Sequence, residues 1–281
     1  MKKKIIILIL AIIVFFLMLI YFSNRFINKR VEKELSMLQA TAYVLPDIDM
    51  YSLDSIPSPL LKYISLSLNK NYKYQRMVEI NYSGKTKLDL NEKILDCNGK
   101  IYFGQYQPGL LQTETISIFP LWWIKKRNFY IDGNGSILIK KLSLITTQNI
   151  KGPEVNLSEL TKYIIFSPLF PWVFLNRGII QYSSYGNEIK DTNIIKIDVK
   201  DKSNVINSEI IINNNFISEI KTRDNFIFTG KQGLQIELFV QYKEYKNING
   251  IQIPTVIEGY LIDNMKTIKY FEYSIEEYKF Y

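Results

Sequence analysis

The sequence predicts a mainly β protein of the α+β class, in which an N-terminal transmembrane helix precedes an antiparallel sheet covered by one or two apolar helices. Three observations support this prediction. Residues 5–22 are eighteen consecutive apolar residues without a charge. From residue 75 onward, apolar and polar residues alternate as they do in strands with one solvated face, and turn residues separate the runs. Residues 156–165 instead repeat their apolar side chains at helical spacing.

The apolar run from Ile5 to Phe22 predicts a membrane anchor, which we represent by Ile5, Phe15, Phe16 and Phe22. A helix of this length spans about 27 Å, close to the hydrocarbon thickness of roughly 30 Å. A cleaved signal peptide and an apolar core helix are the alternatives. The residues directly after Phe22 contain no small-x-small cleavage site, so we expect the run to remain as a transmembrane helix.

Basic residues flank both ends of the run, with Lys2, Lys3 and Lys4 before it and four more between residues 25 and 33. This balance makes the positive-inside rule equivocal. We expect the tip, residues 1–4, in the cytoplasm, because a short basic tip is easily retained and long domains translocate largely regardless of charge. The expected localisation is the cell membrane, with a single pass and an extracytoplasmic C-terminal domain.

The formal charge of +8 could indicate a nucleic-acid partner, but it is concentrated near the apolar run. Residues 1–33 carry seven basic side chains and one acidic side chain, which leaves +2 for residues 34–281. A nearly neutral domain without a basic block lacks the charge of a phosphate-backbone binder. We therefore expect no nucleic-acid partner.

Two residue types limit the chemistry, because the chain contains no histidine and a single cysteine, Cys97. Ser-His-Asp and Cys-His catalysis and most zinc sites require imidazole, so these classes are excluded. Cys97 alone forms neither an internal disulfide nor a cysteine metal cluster, and we expect it to be a small buried residue. The sequence predicts no catalytic residue, no metal and no cofactor, and it favours a protein that is not an enzyme.

Residues 23–58 have a mixed composition interrupted by prolines and are expected to form a stalk. Within this segment, residues 31–40 have helical character. Residues 60–69 predict a short helix packed under the domain. Residues 59–281 are expected to form a single β-rich domain.

The strand pattern is clearest in three stretches. Residues 78–82 and 86–90 alternate on either side of Ser83-Gly84, which predicts a hairpin. Residues 195–199 predict another half-buried strand, and residues 234–242 predict the longest one.

Turns and one bulge are also predicted. Residues that tolerate the positive φ of tight turns occur at Asn98-Gly99, Asp132-Gly133-Asn134-Gly135, Gly186-Asn187, Asn213-Asn214-Asn215 and Asn249-Gly250. Near the end of the chain, aromatic residues change parity at Glu276-Glu277, which predicts a β-bulge.

One interruption of the strand pattern is helical. Asn156 followed by Glu159 resembles a capping box, and apolar residues recur at helical spacing as far as Ile165. The helix is expected to end near Ser167-Pro168, where a second apolar piece, residues 169–175, begins. Two prolines and the short length argue against a second membrane span.

The apolar stretch 163–180 is the most suggestive part of the domain. It could form a lid over the concave face of a curved sheet and line a site for acyl chains or another hydrophobic ligand. The candidate ligand-binding residues are Tyr163, Phe166, Phe170, Trp172 and Phe174. The alternative is that the same residues only cover the apolar face that a half-open sheet must bury.

Two weaker features carry functional alternatives. Leu121-Trp122-Trp123, followed by basic residues at 125–127, could reach a lipid headgroup region, although an ordinary strand with a solvated end is favoured. Carboxylates could act in glycoside hydrolysis, which needs two of them across a cleft, but no spacing singles out a pair. The available carboxylates are Glu154, Glu159, Asp191, Glu209, Glu237 and Glu258.

Several short motifs follow one another in a recognisable order. They are Ile56-Pro57-Ser58-Pro59-Leu60-Leu61-Lys62-Tyr63-Ile64, Pro108-Gly109-Leu110, Gly152-Pro153-Glu154, Phe170-Pro171 and the stretch from Tyr242 to Pro254. Over about residues 56–280 this pattern resembles an uncharacterised family of bacterial membrane-anchored domains, known only as a domain of unknown function. Phe166 and Cys97 depart from the family pattern, which usually has an acidic residue and a tryptophan there, so we expect no acid-dependent activity.

The terminal strand pair is also similar to that of lipoprotein-carrier-like half β-barrels, and this resemblance implies a curved antiparallel sheet around a hydrophobic cavity. The expected function is therefore non-catalytic binding of a lipid, a lipoprotein or another hydrophobic ligand at the cell envelope. A structural or interaction module without a ligand and a carboxylate-based hydrolase are the alternatives. The expected partners are the lipid bilayer and a lipid or lipoprotein ligand, and the oligomeric state is left open.

Overall fold

A computed structural model describes residues 2–41, 55–68, 75–90, 92–104, 107–119, 122–189 and 192–280. Its α-helices are α1 (Lys2–Thr41), α2 (Ser58–Leu68) and α3 (Pro153–Ile165), and two short 3-10 segments, Ser167–Leu169 and Pro171–Leu175, follow α3. The strands are β1 (Met77–Thr86), β2 (Leu95–Gly104), β3 (Gly109–Phe119), β4 (Trp122–Ile131), β5 (Asn134–Lys141), β6 (Ile145–Lys151), β7 (Ile180–Ile189), β8 (Thr192–Asp201), β9 (Asn204–Asn213), β10 (Phe216–Thr222), β11 (Phe226–Thr229), β12 (Gln232–Gln235), β13 (Glu237–Ile248), β14 (Ile251–Asp263) and β15 (Lys266–Phe280).

Thirteen strands form one antiparallel sheet in the order β6-β5-β4-β3-β2-β1-β15-β14-β13-β10-β9-β8-β7. The C-terminal strand β15 pairs with β1 and so joins the two halves of the sheet. Strands β6 and β7 are the free edges, so the sheet is curved without closing into a barrel. This architecture confirms the predicted fold class, a mainly β protein with a long apolar N-terminal helix and a helix-covered antiparallel sheet.

The concave face of the sheet holds the main core. Helix α3 contacts β5 in one half of the sheet and β9 in the other, which places it inside the curve. Tyr63 of α2 and Leu160 of α3 are fully buried against inward side chains such as Ile80 and Val240. Because side chains alternate along a strand, one apolar parity is enough to build this face.

Helix α1 runs without interruption from the apolar run into the domain. It contains an 18-residue window of mean hydropathy 3.4, none of which is buried, so it is long and apolar enough to cross a membrane. Its last turns pack on the outer face of the sheet, where Leu38 lies in a buried cluster with Met77, Tyr102, Leu111 and Phe129. The helix predicted for 31–40 is therefore the end of α1, and the segment expected to be a stalk begins as a packed helix.

The hairpin predicted at Ser83-Gly84 is wrong, because β1 continues through both residues to Thr86. Gly84 marks a close approach between neighbouring strands. A Cβ atom there would lie 1.9 Å from the backbone carbonyl oxygen of Glu272 in β15. Glycine is thus required here because the neighbouring strand leaves no room for a side chain, and not because the chain turns.

Two other predictions need correction. The long strand predicted for 234–242 is divided between β12 and β13, and β12 pairs with β11 in a separate hairpin, so β15 is the longest strand. The capping role predicted for Asn156 is also wrong, because α3 begins earlier, at Pro153, with Gly152 as its N-cap. The Asn156 side chain instead accepts a hydrogen bond from the backbone N–H of Gly135 at 2.7 Å.

The bulge and three of the predicted turns, at Asp132-Gly133, Asn214-Asn215 and Asn249-Gly250, are confirmed. The turns predicted at Asn98-Gly99 and Gly186-Asn187 are wrong, because these residues lie inside β2 and β7. Asp132-Gly133 and Asn249-Gly250 all adopt positive φ in two-residue turns between paired strands. The bulge predicted at Glu276-Glu277 lies in β15, where its register with β1 shifts. Helix α2 also agrees with the short helix predicted from the sequence.

Candidate functional site

The five aromatic residues predicted to line a hydrophobic site lie together inside the filled core. Tyr163, Phe166, Phe170, Trp172 and Phe174 are each at most 2% exposed. Their rings contact one another or aromatic residues of α2, β2 and β15, with centroids 5.0 to 6.5 Å apart, the range typical of packed aromatic pairs. None of them lines a cavity described below. Their ligand-binding role stays a prediction.

Tyrosine hydroxyls fasten this covering segment to the sheet. The Tyr242 hydroxyl donates to the carbonyl oxygen of Ile165 at 2.5 Å, and the Tyr278 hydroxyl donates to that of Leu169 at 2.7 Å. These carbonyls belong to helix ends, which leave acceptors without partners inside the helix. Burial raises the pKa of Tyr242 well above its usual range, so its hydroxyl stays a donor. The segment is therefore both packed and hydrogen-bonded in place.

A group that we call the buried ion cluster lies on the same concave face and comprises Tyr82, Glu114, Lys126, Glu159, Lys162 and Tyr273. The Tyr273 hydroxyl donates to Glu114 Oε1 at 2.6 Å, and Lys126 Nζ lies 3.3 Å from Glu114 Oε2. Lys162 Nζ lies 2.5 Å from Glu159 Oε1. The cluster thus pairs each buried carboxylate with an ammonium group.

Burial and pairing together control the ionisation of the cluster. Burial acts to lower the pKa of Lys126, but the Glu114 carboxylate outweighs it and the pKa is raised. Burial raises the pKa of Glu159 and lowers that of Lys162 despite their contact, which favours the neutral forms of both. Burial also raises the pKa of Tyr273 well above its usual range. Lys126 is therefore held charged beside Glu114, whereas burial opposes the charged forms of Glu159 and Lys162.

A cavity of 40 Å³ adjoins the cluster and is lined by Lys126, Lys162, Tyr270, Gln148, Asn225 and apolar residues. A cavity of this size holds about one water molecule, which is too little for an organic substrate. The cluster was not predicted from the sequence, although a signal existed. Glu114 and Lys126 occupy inward positions of β3 and β4 at the same parity as apolar neighbours.

The carboxylates considered for hydrolysis are dispersed over the described part of the chain. Four of them have basic partners: Glu159 pairs with Lys162, Glu209 with Lys196, Glu237 with Arg223, and Glu258 with Lys243 and Lys269. Glu154 lines a surface pocket beside the start of α3, and Asp191 lies outside the described residues. Glu209 and Glu237 line the same open pocket of 440 Å³, where each is paired with a basic side chain, Lys196 and Arg223.

The representative anchor residues lie on the uncovered part of α1. Ile5, Phe15, Phe16 and Phe22 are all exposed, between 47% and 63%. An exposed apolar helical surface of this length is typical of a segment surrounded by lipid. Membrane anchoring stays a prediction that this exposure supports.

Helix α1 meets the β5–β6 turn directly after the apolar run. The Ser23 hydroxyl donates to the carbonyl oxygen of Ser143, and Trp123 Nε1 donates to Ser143 Oγ at 3.3 Å. Leu142 and Ser143 both have positive φ, 50° and 61°, a conformation that costs roughly 1–2 kcal/mol for a residue with a Cβ atom. The turn is therefore held in a strained conformation against the helix.

Large apolar side chains are exposed around this contact, and we call them the apolar rim. They are Phe26, Phe119, Trp122 and Ile145, exposed by 69%, 73%, 46% and 61%. Phe26 belongs to α1, and the other three lie at the ends of β3, β4 and β6 near Ser143, which accepts the hydrogen bond from Ser23. Leu121, which the sequence grouped with Trp122, lies outside the described residues.

These features define a protein with an open antiparallel sheet, a filled concave face and one long apolar helix at its N-terminus. The chain belongs to the family of unknown function DUF6920, whose model matches residues 54–280.

Comparison with other proteins gives distant similarities of fold. A search of the curated proteins gives no match. Among solved structures, the chain is similar to a LolA superfamily protein from Nitrosomonas europaea, with 11% identity, a TM-score of 0.40, and coverage of 79% of this chain and 91% of that chain. It is also similar to a DUF1329 family protein from Desulfovibrio piger, with 8% identity, a TM-score of 0.45, and coverage of 84% and 94%.

Proposed function

We propose that this protein is a single-pass membrane protein of the cell envelope, whose extracytoplasmic domain binds lipid at the bilayer surface without catalysis. The observation that carries the proposal is the apolar rim beside Ser23, where α1 leaves its apolar run. Aromatic side chains are enriched at membrane interfaces, and a group of exposed apolar residues on a domain marks an interaction surface. The rim therefore suits contact with the bilayer in which the helix is anchored.

The continuity of α1 supports an uncleaved anchor. The helix passes without a break through residues 23–30, where a signal peptide would be cut, and contains no small-x-small site there. Farther along, Leu38 is buried against the outer face of the sheet. Because one rigid element carries both the apolar run and this packing, the domain is held next to the bilayer.

The height of the rim agrees with this placement. Ser23 directly follows the apolar run, and its partner Ser143 lies two residues from Ile145. The interfacial layer on each side of the hydrocarbon core is roughly 5–7 Å thick. A side chain beside Ser23 thus lies within reach of the lipid headgroups.

Spin labels on the full chain in lipid nanodiscs test the proposal. A nitroxide on Ile145→Cys is expected to be more accessible to dissolved oxygen than to a water-soluble nickel complex. Ser203→Cys is the control, because the neighbouring Lys202 pairs with Asp132 at the opposite end of β4. Burial raises the pKa of Cys97 to about 12, so the native thiol reacts little with the label. Equal exposure of both labels to the nickel complex would overturn the proposal.

Lipid binding inside the sheet, under Tyr163 and its aromatic neighbours, is a separate hypothesis. It requires the covering segment to lift, and the burial of Phe170 and Trp172 favours the alternative in which these residues close the core. Mass spectrometry of organic extracts from purified full-length protein distinguishes the two. We expect no lipid that survives exhaustive detergent exchange at a one-to-one ratio, and a lipid retained in that way would favour the interior site.

A further inference from the structure

A groove of 390 Å³ lies between α1 and the outer face of the sheet. Ile27, Asn28 and Val31 form its helical wall, and strands β1 to β5 form its floor. We call it the outer groove. It lies on the opposite face of the sheet from the main core, beside the part of α1 that follows the apolar run.

Two lysines face each other across neighbouring strands in the outer groove. Lys125 of β4 and Lys140 of β5 are direct cross-strand partners, and both are half-buried. Like charges directly opposite each other destabilise an antiparallel pair. Within the described part of the chain, no carboxylate lies within ion-pair distance of either lysine. Burial alone lowers the pKa of Lys125, so no neighbouring acid compensates for its desolvation.

Arg127 adds a third cation whose hydrogen-bonding capacity is only partly used. The residue is 3% exposed, and its Nη1 donates to the carbonyl oxygen and the Oγ of Ser136 at 3.0 and 2.6 Å. Its Nε lies 3.3 Å from Glu34 Oε2. Its Nη2 is buried and has no hydrogen-bond partner among the described residues. A buried charged donor without a partner is costly, which points to a ligand at this place.

The remaining charges leave the groove positive. Five basic and two acidic residues border it, of which Lys126 and Glu114 also belong to the buried ion cluster, whose side chains point to the concave face. Lys100 is neutralised by Glu79, and Lys126 by Glu114. The other acidic residue in the lining, Glu276, is exposed. The two facing lysines are therefore the part of the groove whose charge is not balanced.

Helix α1 places the start of the outer groove at the outer edge of the headgroup layer. Ile27 follows Phe22 by five residues, or about 7.5 Å along the helix. The interfacial layer beyond the hydrocarbon is roughly 5–7 Å thick. On the sheet side, Lys125 follows Trp122 of the apolar rim by three residues, about 10 Å along β4. Both walls of the groove thus rise from the bilayer surface.

We propose that the outer groove binds the phosphate of an anionic phospholipid headgroup, with Lys125, Lys140 and Arg127 as its ligands. Lysines supply point charges to a phosphate, and a guanidinium supplies directed donors. The proposal rests on the proposed function, because the lipid comes from the bilayer that α1 spans. It adds a site and a headgroup class that contact by the apolar rim does not require.

The test measures lipid preference on the full chain in phosphatidylcholine vesicles. Spin-labelled phosphatidylglycerol and spin-labelled phosphatidylcholine compete for the protein, and electron paramagnetic resonance gives their relative association. Each lysine near an anionic lipid contributes roughly fivefold in affinity. We expect the preference for phosphatidylglycerol to fall at least about fivefold in the double variant Lys125→Gln/Lys140→Gln. The matched control, Lys151→Gln/Lys231→Gln, removes the same charge from exposed positions outside the groove and should keep the preference.

Two further measurements distinguish a failure of the headgroup site from a failure of the proposed function. The Ile145→Cys label is read in the same double variant, and its contact with the bilayer should remain. No preference for phosphatidylglycerol in the native chain, with Ile145 still in the bilayer, overturns the headgroup site alone. A water-exposed Ile145 label overturns the proposed function first. If inorganic phosphate protects the two lysines from acylation in lipid-free detergent as well as phosphatidylglycerol does, the site binds a free anion and the lipid assignment is wrong.

Discussion

Strands β3 to β5 pair their charged side chains on the concave face but leave two lysines without a counter-charge among the described residues on the outer face. On the concave face, Lys126 pairs with Glu114 at 3.3 Å. On the outer face, Lys125 and Lys140 face each other without a carboxylate partner in the described chain. Because consecutive residues of a strand point to opposite faces, the two arrangements are one residue apart. A charge that cannot reach water is balanced within the fold, whereas a charge left unbalanced at a groove is free for a ligand.

A second place on the outer face shows that the fold can balance a pair of lysines. In the other half of the sheet, Lys243 and Lys269 share Glu258, with Nζ to carboxylate distances of 2.5 and 3.1 Å. The missing carboxylate beside Lys125 and Lys140 is therefore a local property of the outer groove. Proteins commonly give up stability at functional sites in this way.

Removing the Glu114–Lys126 pair should have the largest effect on the free energy of unfolding. Glu114→Gln leaves Lys126 buried without its counter-charge, and we expect the free energy of unfolding to fall by about 3–5 kcal/mol. Chemical denaturation of the full chain in mild detergent measures it. Glu209→Gln is the control, because the Glu209–Lys196 pair is exposed and such pairs contribute at most about 1 kcal/mol. Similar small losses in both variants would show that the inner face does not depend on this pairing.

The apolar contact of α1 with the outer face should rank second. Leu38→Ala removes a fully buried side chain from the cluster on that face, and we expect a loss of about 2–5 kcal/mol. The same denaturation experiment measures it, with the exposed neighbour Met37 as Met37→Ala for control. A negligible effect of Leu38→Ala would mean that α1 rests on the sheet without stabilising it, and the helix would then be a poor support for the outer groove.

The balanced lysine pair predicts a pH dependence. Burial acts to raise the pKa of Glu258, but hydrogen bonds from Lys243, Tyr260 and Lys269 outweigh it and lower the pKa to about 2. The folded pKa is thus below the unfolded value of about 4.3. Its contribution to stability is complete above the unfolded pKa and is lost as the pH falls toward 2.

Glu258→Gln should therefore destabilise the protein by about 1–3 kcal/mol at neutral pH, and the difference should shrink as the pH falls from about 4.5 to 2. Denaturation at a series of pH values measures it. The exposed Glu92, as Glu92→Gln, provides a control with little difference throughout. A difference between Glu258→Gln and the native chain that stays constant with pH would contradict the assigned hydrogen bonds.

Removing one lysine of the Lys125–Lys140 pair should have the smallest effect on the free energy of unfolding, and it should stabilise the protein. Lys140→Gln removes the repulsion with Lys125, so we expect the free energy of unfolding to rise by about 0.2–1 kcal/mol in zwitterionic detergent. The gain should decrease with added salt, which screens the repulsion. Thermal unfolding measures it against Lys151→Gln, which has no facing lysine. A loss of stability would indicate a partner for Lys140 and would weaken the comparison between the two faces.

Local patterns predicted most of the architecture. The alternation of residues 195–199 and the turn at Asn249-Gly250 are properties of neighbouring residues, and both predictions agree with the structure. The hairpin at Ser83-Gly84 failed because a glycine serves both turns and close strand contacts. The crowding of Gly84 comes from Glu272, which lies far along the chain.

Local patterns predicted the candidate site less well than the architecture. The sequence grouped Tyr163, Phe166 and Phe170 correctly as neighbours on an apolar element. Whether such side chains line a cavity or fill a core depends on the volume that the opposite face supplies, here including Phe103 of β2. The sequence also contained both Lys125 and Lys140, but the β4–β5 register decides that they are cross-strand partners.

The sequence by itself determined the class of this protein, namely a near-neutral β domain without histidine behind an anchor-like apolar run. Composition and period are local quantities, so they can be read along the chain. Only the tertiary structure decided that α1 packs on the outer face, that the concave face is filled, and that unbalanced lysines line a groove beside the anchor. These features depend on contacts between distant segments, whose register and volume are decided only when the whole sheet is assembled.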